Sequence, residues 1–186
     1  MPHFVMTCNG VYPSAALGKG PDMNDAPWFH GTRLVGDFPQ PLVYMLDPTR
    51  PGNLRAMYDD AAYPLMRDDL VEAVHSAGVD NLQLFSAVIK DPSTGAQHTN
   101  YKAFNIVGVV AAADMDKAVL MGTSDATMID VDFDALAIDD NKAAQFRIFR
   151  LAESVSAIIV DAAVKEEVER RAIPGMVFYE PGDWSG

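Results

Sequence analysis

Residues 66–110 read MRDDLVEAVHSAGVDNLQLFSAVIKDPSTGAQHTNYKAFNIVGVV, and this stretch packs a helix, a strand, a turn and a second strand into close succession. Met66, Leu70, Val74 and Ala77 recur at spacings of four, four and three, with Val71 and Ala73 beside them and Asp68, Asp69, Glu72, His75 and Ser76 turned elsewhere. An apolar stripe of that period predicts an amphipathic helix, with His75 on its wet side. Asp68 and Asp69 favour the positive end of the helix dipole, and Gly78 can take the left-handed conformation that ends it. Leu82–Ile89 then carries apolar groups at both parities, Leu82, Leu84 and Val88 against Phe85, Ala87 and Ile89, the pattern of a strand buried on both faces. Asp91-Pro92-Ser93-Thr94-Gly95 has the chemistry of a reversing turn, so the chain returns as a strand from Tyr101 to Val110. The helix can cover one face of the sheet these strands begin.

Outward from this unit the same logic gives the remaining elements. Asp161 is a helix N-cap, Val164, Val168 and Ala172 form the buried stripe, Pro174-Gly175 ends the helix, and Met176–Tyr179 follows as a strand. Gln145–Leu151 reads as a strand with Arg147 and Arg150 on opposite sides, and Pro2–Cys8 and Leu42–Leu46 as two more. Ten glycines and prolines between Gly10 and Pro41 break that segment into loops, which Trp28 and Phe29 pin to the rest. Leu54–Asp60 is expected to be a short helical or irregular link, Asp114–Gly122 to hold a short helical turn, and Ala137–Ala144 to be a loop or short helix. Met128–Phe133 alternates strictly, Ile129, Val131 and Phe133 against Asp130, Asp132 and Asp134, which predicts a strand with one anionic wet face. The fold expected is α+β: a mixed, largely antiparallel sheet with two main amphipathic helices packed on it.

The length of 186 residues suits a single domain, 1–186, with a loop-rich part over 1–57 and the α+β core over 58–186. With 49% hydrophobic and 22% charged residues the chain is neither disordered nor fibrous in character. Its 14 Lys and Arg against 26 Asp and Glu leave a net charge of −12, which repels phosphate backbones and anionic lipid and attracts cationic partners. Neither nucleic acid nor a membrane is an expected partner. Cys8 is the one cysteine, so no intrachain disulfide forms; residues 1–14 lack the basic and apolar regions of an export signal, and a cytoplasmic protein is expected.

Six carboxylates with no intervening Lys or Arg lie at Asp125, Asp130, Asp132, Asp134, Asp139 and Asp140. A calcium loop starting at Asp130 would need Gly at its sixth position and Glu at its twelfth, where Ala135 and Asn141 stand. A solvated or protein-docking face is the better account, and no metal site is expected. His3, His30, His75 and His98 lack zinc-ligand spacing, and Gly18-Lys19-Gly20 lacks the pattern of a phosphate-binding loop. Cys8 reads as a small buried apolar residue and Asn105 as a buried amide satisfying backbone groups. One of Arg147 and Arg150 is expected to be buried and paired with a carboxylate, an architectural role. No catalytic residue and no cofactor follow from the sequence.

Between Leu65 and Val110 the order of apolar helix, Ala-Gly-Val-Asp-Asn at 77–81, strand, turn and Phe-Asn-Ile-Val-Gly-Val-Val at 104–110 resembles a bacterial immunity-protein family of polymorphic toxin systems, formerly a family of unknown function. Gln145–Leu151 (QFRIFRL) and Ile158–Phe178 are similar to its later strand and its C-terminal end. The resemblance implies a cytoplasmic protein that occludes a cognate toxin, with Asn105, Phe149 and Arg150 structural and no catalytic residues carried over. Arg67 stands where a better helix cap is expected. The expected contact face is acidic, Asp130, Asp132 and Asp134 extended by Asp139 and Asp140, and a basic toxin fits that charge. The competing readings are a small enzyme using carboxylates as acid and base, and an interaction module with no toxin partner.

Overall fold

The computed structural model describes residues 1–21, 28–59, 63–121 and 131–186. In chain order these form β1 (His3–Cys8), β2 (Leu17–Lys19), β3 (Leu42–Leu46), β4 (Met57–Tyr58), β5 (Leu65–Arg67), α1 (Asp68–Ser76), β6 (Leu82–Lys90) and β7 (Gln97–Ile106). The chain continues through β8 (Val109–Val110), β9 (Val119–Leu120), β10 (Phe133–Ala135), α2 (Asp140–Ala143), β11 (Ile148–Leu151), β12 (Ile158–Asp161), α3 (Ala162–Arg170) and β13 (Met176–Tyr179). The fold is α+β, with mixed but mostly antiparallel strands. In place of the one expected sheet, the strands divide between two larger sheets and a small ribbon.

The first sheet has the order β13-β1-β12-β11-β8 and the second β2-β3-β6-β7-β5-β4, each with one parallel pair, β11 with β8 and β3 with β6. β9 and β10 form the ribbon. β6 lies between β3 and β7, as its two apolar faces require. Asp91 accepts hydrogen bonds from Ser93 N and Thr94 Oγ1 at the reversing turn, where Gly95 takes φ +76°. The returning strand corrects the expectation at both ends: it starts at Gln97, stops at Ile106, and passes Val109–Val110 to the first sheet. Gly108, at φ +150°, supplies the bend between the two sheets.

Each main helix leaves a strand without an intervening loop. Asp161 Oδ1 accepts from Val164 N at 3.0 Å, the expected cap of α3. Met66, expected on the first helix, is a buried residue of β5, and α1 starts at Asp68. Its N-cap residue Arg67 offers no side-chain acceptor; instead the guanidinium forks onto Asp69, whose Oδ1 takes Leu70 N. α3 ends at Arg170 rather than at Pro174-Gly175, and Ala172 follows in the left-handed conformation with φ 50°. Leu54–Asp60 is not helical where it is described, since Met57 and Tyr58 pair with β5 as a strand.

Three apolar clusters hold these layers. Leu70 and Val74 of α1 and Val164 and Val168 of α3 share a core with Phe4, Met6, Ile158 and Val160 of the first sheet and Met66, Phe104 and Ile106 of the second. Arg171 joins the helices on the surface, donating to Ser76 Oγ at 2.8 Å. The far face of the second sheet carries Tyr44, Phe85, Ile89 and Tyr101 and is covered by Trp28 and Leu34, with Trp28 edge-on to Phe85. The far face of the first sheet carries Val5, Phe149, Leu151 and Ile159 and is covered by Val131, Phe133, Leu136 and Ala143. That last covering brings the acidic segment to its place. No helix among the described residues is long and apolar enough to cross a membrane.

Candidate functional site

Leu120 and Phe133 face each other across β9 and β10, and Phe133 is fully buried on the first sheet. Alternation turns Met121 and Asp132 to the opposite side, and past a register shift that sets Val119 across from Ala135 the residues Val119 and Asp134 are exposed as well. Met121 N donates to Asp132 O at 2.9 Å, and Phe133 exchanges main-chain hydrogen bonds with Gly186 on the other edge of β10, at 2.9 and 3.2 Å. The face is therefore carried on a ribbon held from below and from both sides of β10. The expected helical turn stands at the start of Asp114–Gly122, where Lys117 N and Ala118 N donate to Asp114 O at 3.0 and 2.8 Å; the strand β9 follows it, and Gly122 lies outside the described residues.

The predicted acidic residues meet different fates. Asp130, with Met128 and Ile129, lies outside the described residues. Asp132 and Asp134 project outward, and their carboxylates make no hydrogen bond or ion pair among the described residues. Asp139 caps α2 by accepting from Asn141 N at 3.0 Å, and Lys142 Nζ stands 4.0 Å away. Asp140 accepts from the buried His3 Nδ1 at 2.7 Å, tying α2 to the start of β1. Lys117 also enters the neighbourhood, 2.6 Å from Asp114, and its hydrogen bond holds the Asp114 carboxyl below the usual range. The field is thus least compensated at Asp132 and Asp134. Among the described residues no group of three or more His, Cys, Asp or Glu is placed to hold a metal ion.

A cavity of about 390 Å³ lies where the end of β1 meets the start of β12, lined by Thr7, Asp59, Ser156 and Trp184 among others. Burial pushes the Asp59 carboxyl above its usual range, opposed by a hydrogen bond from Thr7 Oγ1 and by the charge of Arg150. Arg150 has no exposed surface, and burial lowers its pKa to about 10. Its Nη1 donates to Val155 O at 2.8 Å and its guanidinium lies 3.8 Å over the Phe29 ring, while Nε and Nη2 have no partner among the described residues. The expected buried arginine is found here, but stacked on an aromatic ring instead of paired with a carboxylate; the ion pair belongs to Arg147 and Asp161, at 3.0 Å. A carboxylate with a raised pKa in a cavity is a trait of acid–base sites. The described lining holds no His, Lys or Cys to work with it. Nothing in the periodicity of the sequence marks Asp59, which simply follows the buried Tyr58.

The model of the Immunity protein family (Imm11) matches residues 24–183. The chain belongs to the Imm11 family. No curated protein matches it. Several of the residues that carried the resemblance to immunity proteins are interior ones in this Imm11 fold, among them Phe104, Asn105, Ile106, Ile148, Phe149 and Arg150. Asn81 Nδ2 bonds Val107 O and Ile148 O, joining the segments that lead into the two sheets, and Asn105 Nδ2 donates to Thr32 O at 2.9 Å. Phe149 and Arg150 are fully buried on opposite faces of β11. Cys8 is buried and His75 exposed, as their positions in the sequence predict. Asn81, Asn105, Phe149 and Arg150 thus hold the two sheets and their covering loops together.

Proposed function

We propose that this Imm11 protein neutralises a cognate toxin of a polymorphic toxin system by binding it directly, in the cytoplasm, and occluding it without catalysis. The observation that carries this reading is the outward face of the β9–β10 ribbon, where Asp132 and Asp134 stand exposed and without an ion pair among the described residues, on a chain of net charge −12. Such a face speeds encounter with a cationic surface and fixes the orientation of docking. A basic toxin, for example a nuclease with a cationic cleft, fits that charge; nucleic acid and anionic membrane do not. Co-expression with the toxin encoded beside this chain's gene tests it, through rescue of growth and isolation of a stable complex. Neither rescue nor complex would remove the reading for that pair.

The Asp59 cavity supports a second reading, an enzyme that disarms its target chemically. Asp59→Asn separates the two. A variant that still rescues growth and still binds at wild-type affinity leaves occlusion as the mechanism, whereas binding without rescue favours chemistry.

A further inference from the structure

Of the eight large apolar side chains that the described residues leave exposed, three fall within seven positions: Met115 at 41%, Val119 at 53% and Met121 at 50%. Val119 and Met121 share the outward face of the ribbon with Asp132 and Asp134, Met121 standing across from Asp132. The result is a small apolar centre with acidic groups beside it. We infer that Val119 and Met121 are the anchor of the partner contact, entering an apolar depression on a protein whose rim supplies Lys or Arg to Asp132 and Asp134.

Four features of the face support one such occupant. An apolar centre flanked by charge is the arrangement in which water is excluded from a few anchoring side chains while rim charges steer the approach. Methionine adapts its shape to the surface it meets at little cost, and valine presents a stiff one. The backbone beneath them is already fixed, by Leu120 and Phe133 below and by main-chain bonds at both edges of β10, so little ordering is left to be done on binding. The two carboxylates make a phosphate-bearing surface an unfavourable partner and a cationic protein a favourable one.

This inference rests on the toxin-binding reading and assigns the affinity within it. Binding kinetics of the full chain with a catalytically inactive form of the neighbouring toxin test it, comparing wild type, Val119→Ser/Met121→Ser, and Tyr12→Ser. Tyr12 is 95% exposed in the loop held by Asn53 and serves as the control for an exposed aromatic elsewhere. Losing the anchor should raise the dissociation rate about tenfold or more while association stays within about twofold. The control should match wild type. A wild-type complex that the double variant retains at full lifetime, or that Tyr12→Ser weakens instead, overturns the assignment alone. No complex with wild type removes the toxin-binding reading and this inference with it. Should the double variant fold poorly, amide exchange in the wild-type complex decides: slowing at Val119–Met121 supports the anchor, and unchanged exchange there overturns it.

Discussion

Asp161 holds Arg147 and a helix end with one carboxylate: Oδ2 accepts from Arg147 Nη1 and Oδ1 from Val164 N, both at 3.0 Å, while the residue is only 1% exposed. Removing the side chain leaves an orphan donor at the start of α3 and a guanidinium without its partner. Asp161→Ala should therefore cost about 2 kcal/mol, mostly the cap. Asn keeps the cap and loses the charge of a pair whose arginine is nearly half exposed, so Asp161→Asn should cost under about 1 kcal/mol. Urea unfolding of both variants measures the difference, and equal losses would show that the ion pair rather than the cap is what matters.

The guanidinium of Arg150 makes no ion pair among the described residues; it stacks on the Phe29 ring, and Asp59 is the charge that favours it from farther off. A desolvated cation over an aromatic face is stabilised by about 2 kcal/mol, which a leucine at position 29 cannot supply. Phe29→Leu should destabilise by about that amount; Arg150→Met removes a buried charge with two unpartnered nitrogens but also the bond to Val155 O and the charge that favours the Asp59 carboxylate, so it should cost about 1–2 kcal/mol. In the double variant the penalty of Phe29→Leu should shrink to its packing part. A coupling near zero in that double-mutant cycle would mean the ring acts only as an apolar lid.

Asp59 should make stability depend on pH in the direction opposite to an ordinary paired carboxylate. Its folded-state pKa is raised above the usual 3.8, so the unfolded chain releases that proton first and binds fewer protons across the interval. Stability attributable to Asp59 is then fully present below 3.8 and falls as pH rises through the folded-state value. Asp59→Asn should match wild type at acid pH and gain on it toward neutrality, read as denaturation midpoints over a pH series. A gain that is largest at acid pH would contradict the assignment of burial as the dominant cause.

What the sequence makes legible are features written within a few residues of each other. A carboxylate at Asp161 stands just before the apolar stripe of Val164 and Val168, and the cap of α3 forms there. The turn at Asp91–Gly95 and the central place of β6 follow from equally local patterns. Periodicity says that a residue is buried without saying against what. Ile106 and Val109 read as one strand because both are apolar, and only the bend at Gly108 assigns them to different sheets. Strands of two residues, Met57–Tyr58 and Val119–Leu120, are too short to show any period at all. The acidic face is visible as composition, but its division is not: Asp139 and Asp140 are drawn off by Asn141 and His3, and Asp132 and Asp134 gain apolar neighbours from a segment that reads as a turn.

That division predicts how the carboxylates should differ in a binding experiment. Asp132 and Asp134 are exposed and without an ion pair among the described residues, so neutralising them should act on encounter: Asp132→Asn/Asp134→Asn is expected to slow association with a cationic toxin about fivefold at low salt and to flatten its salt dependence, with dissociation little changed. Asp140→Asn should behave otherwise, because its carboxylate is engaged by His3 and the loss falls on the stability of the α2 contact. Rapid-mixing kinetics at several ionic strengths resolve the two classes. If Asp140→Asn flattened the salt dependence as much as the ribbon pair does, the acidic face would have to extend over α2, and steering would belong to the whole surface instead of to the ribbon.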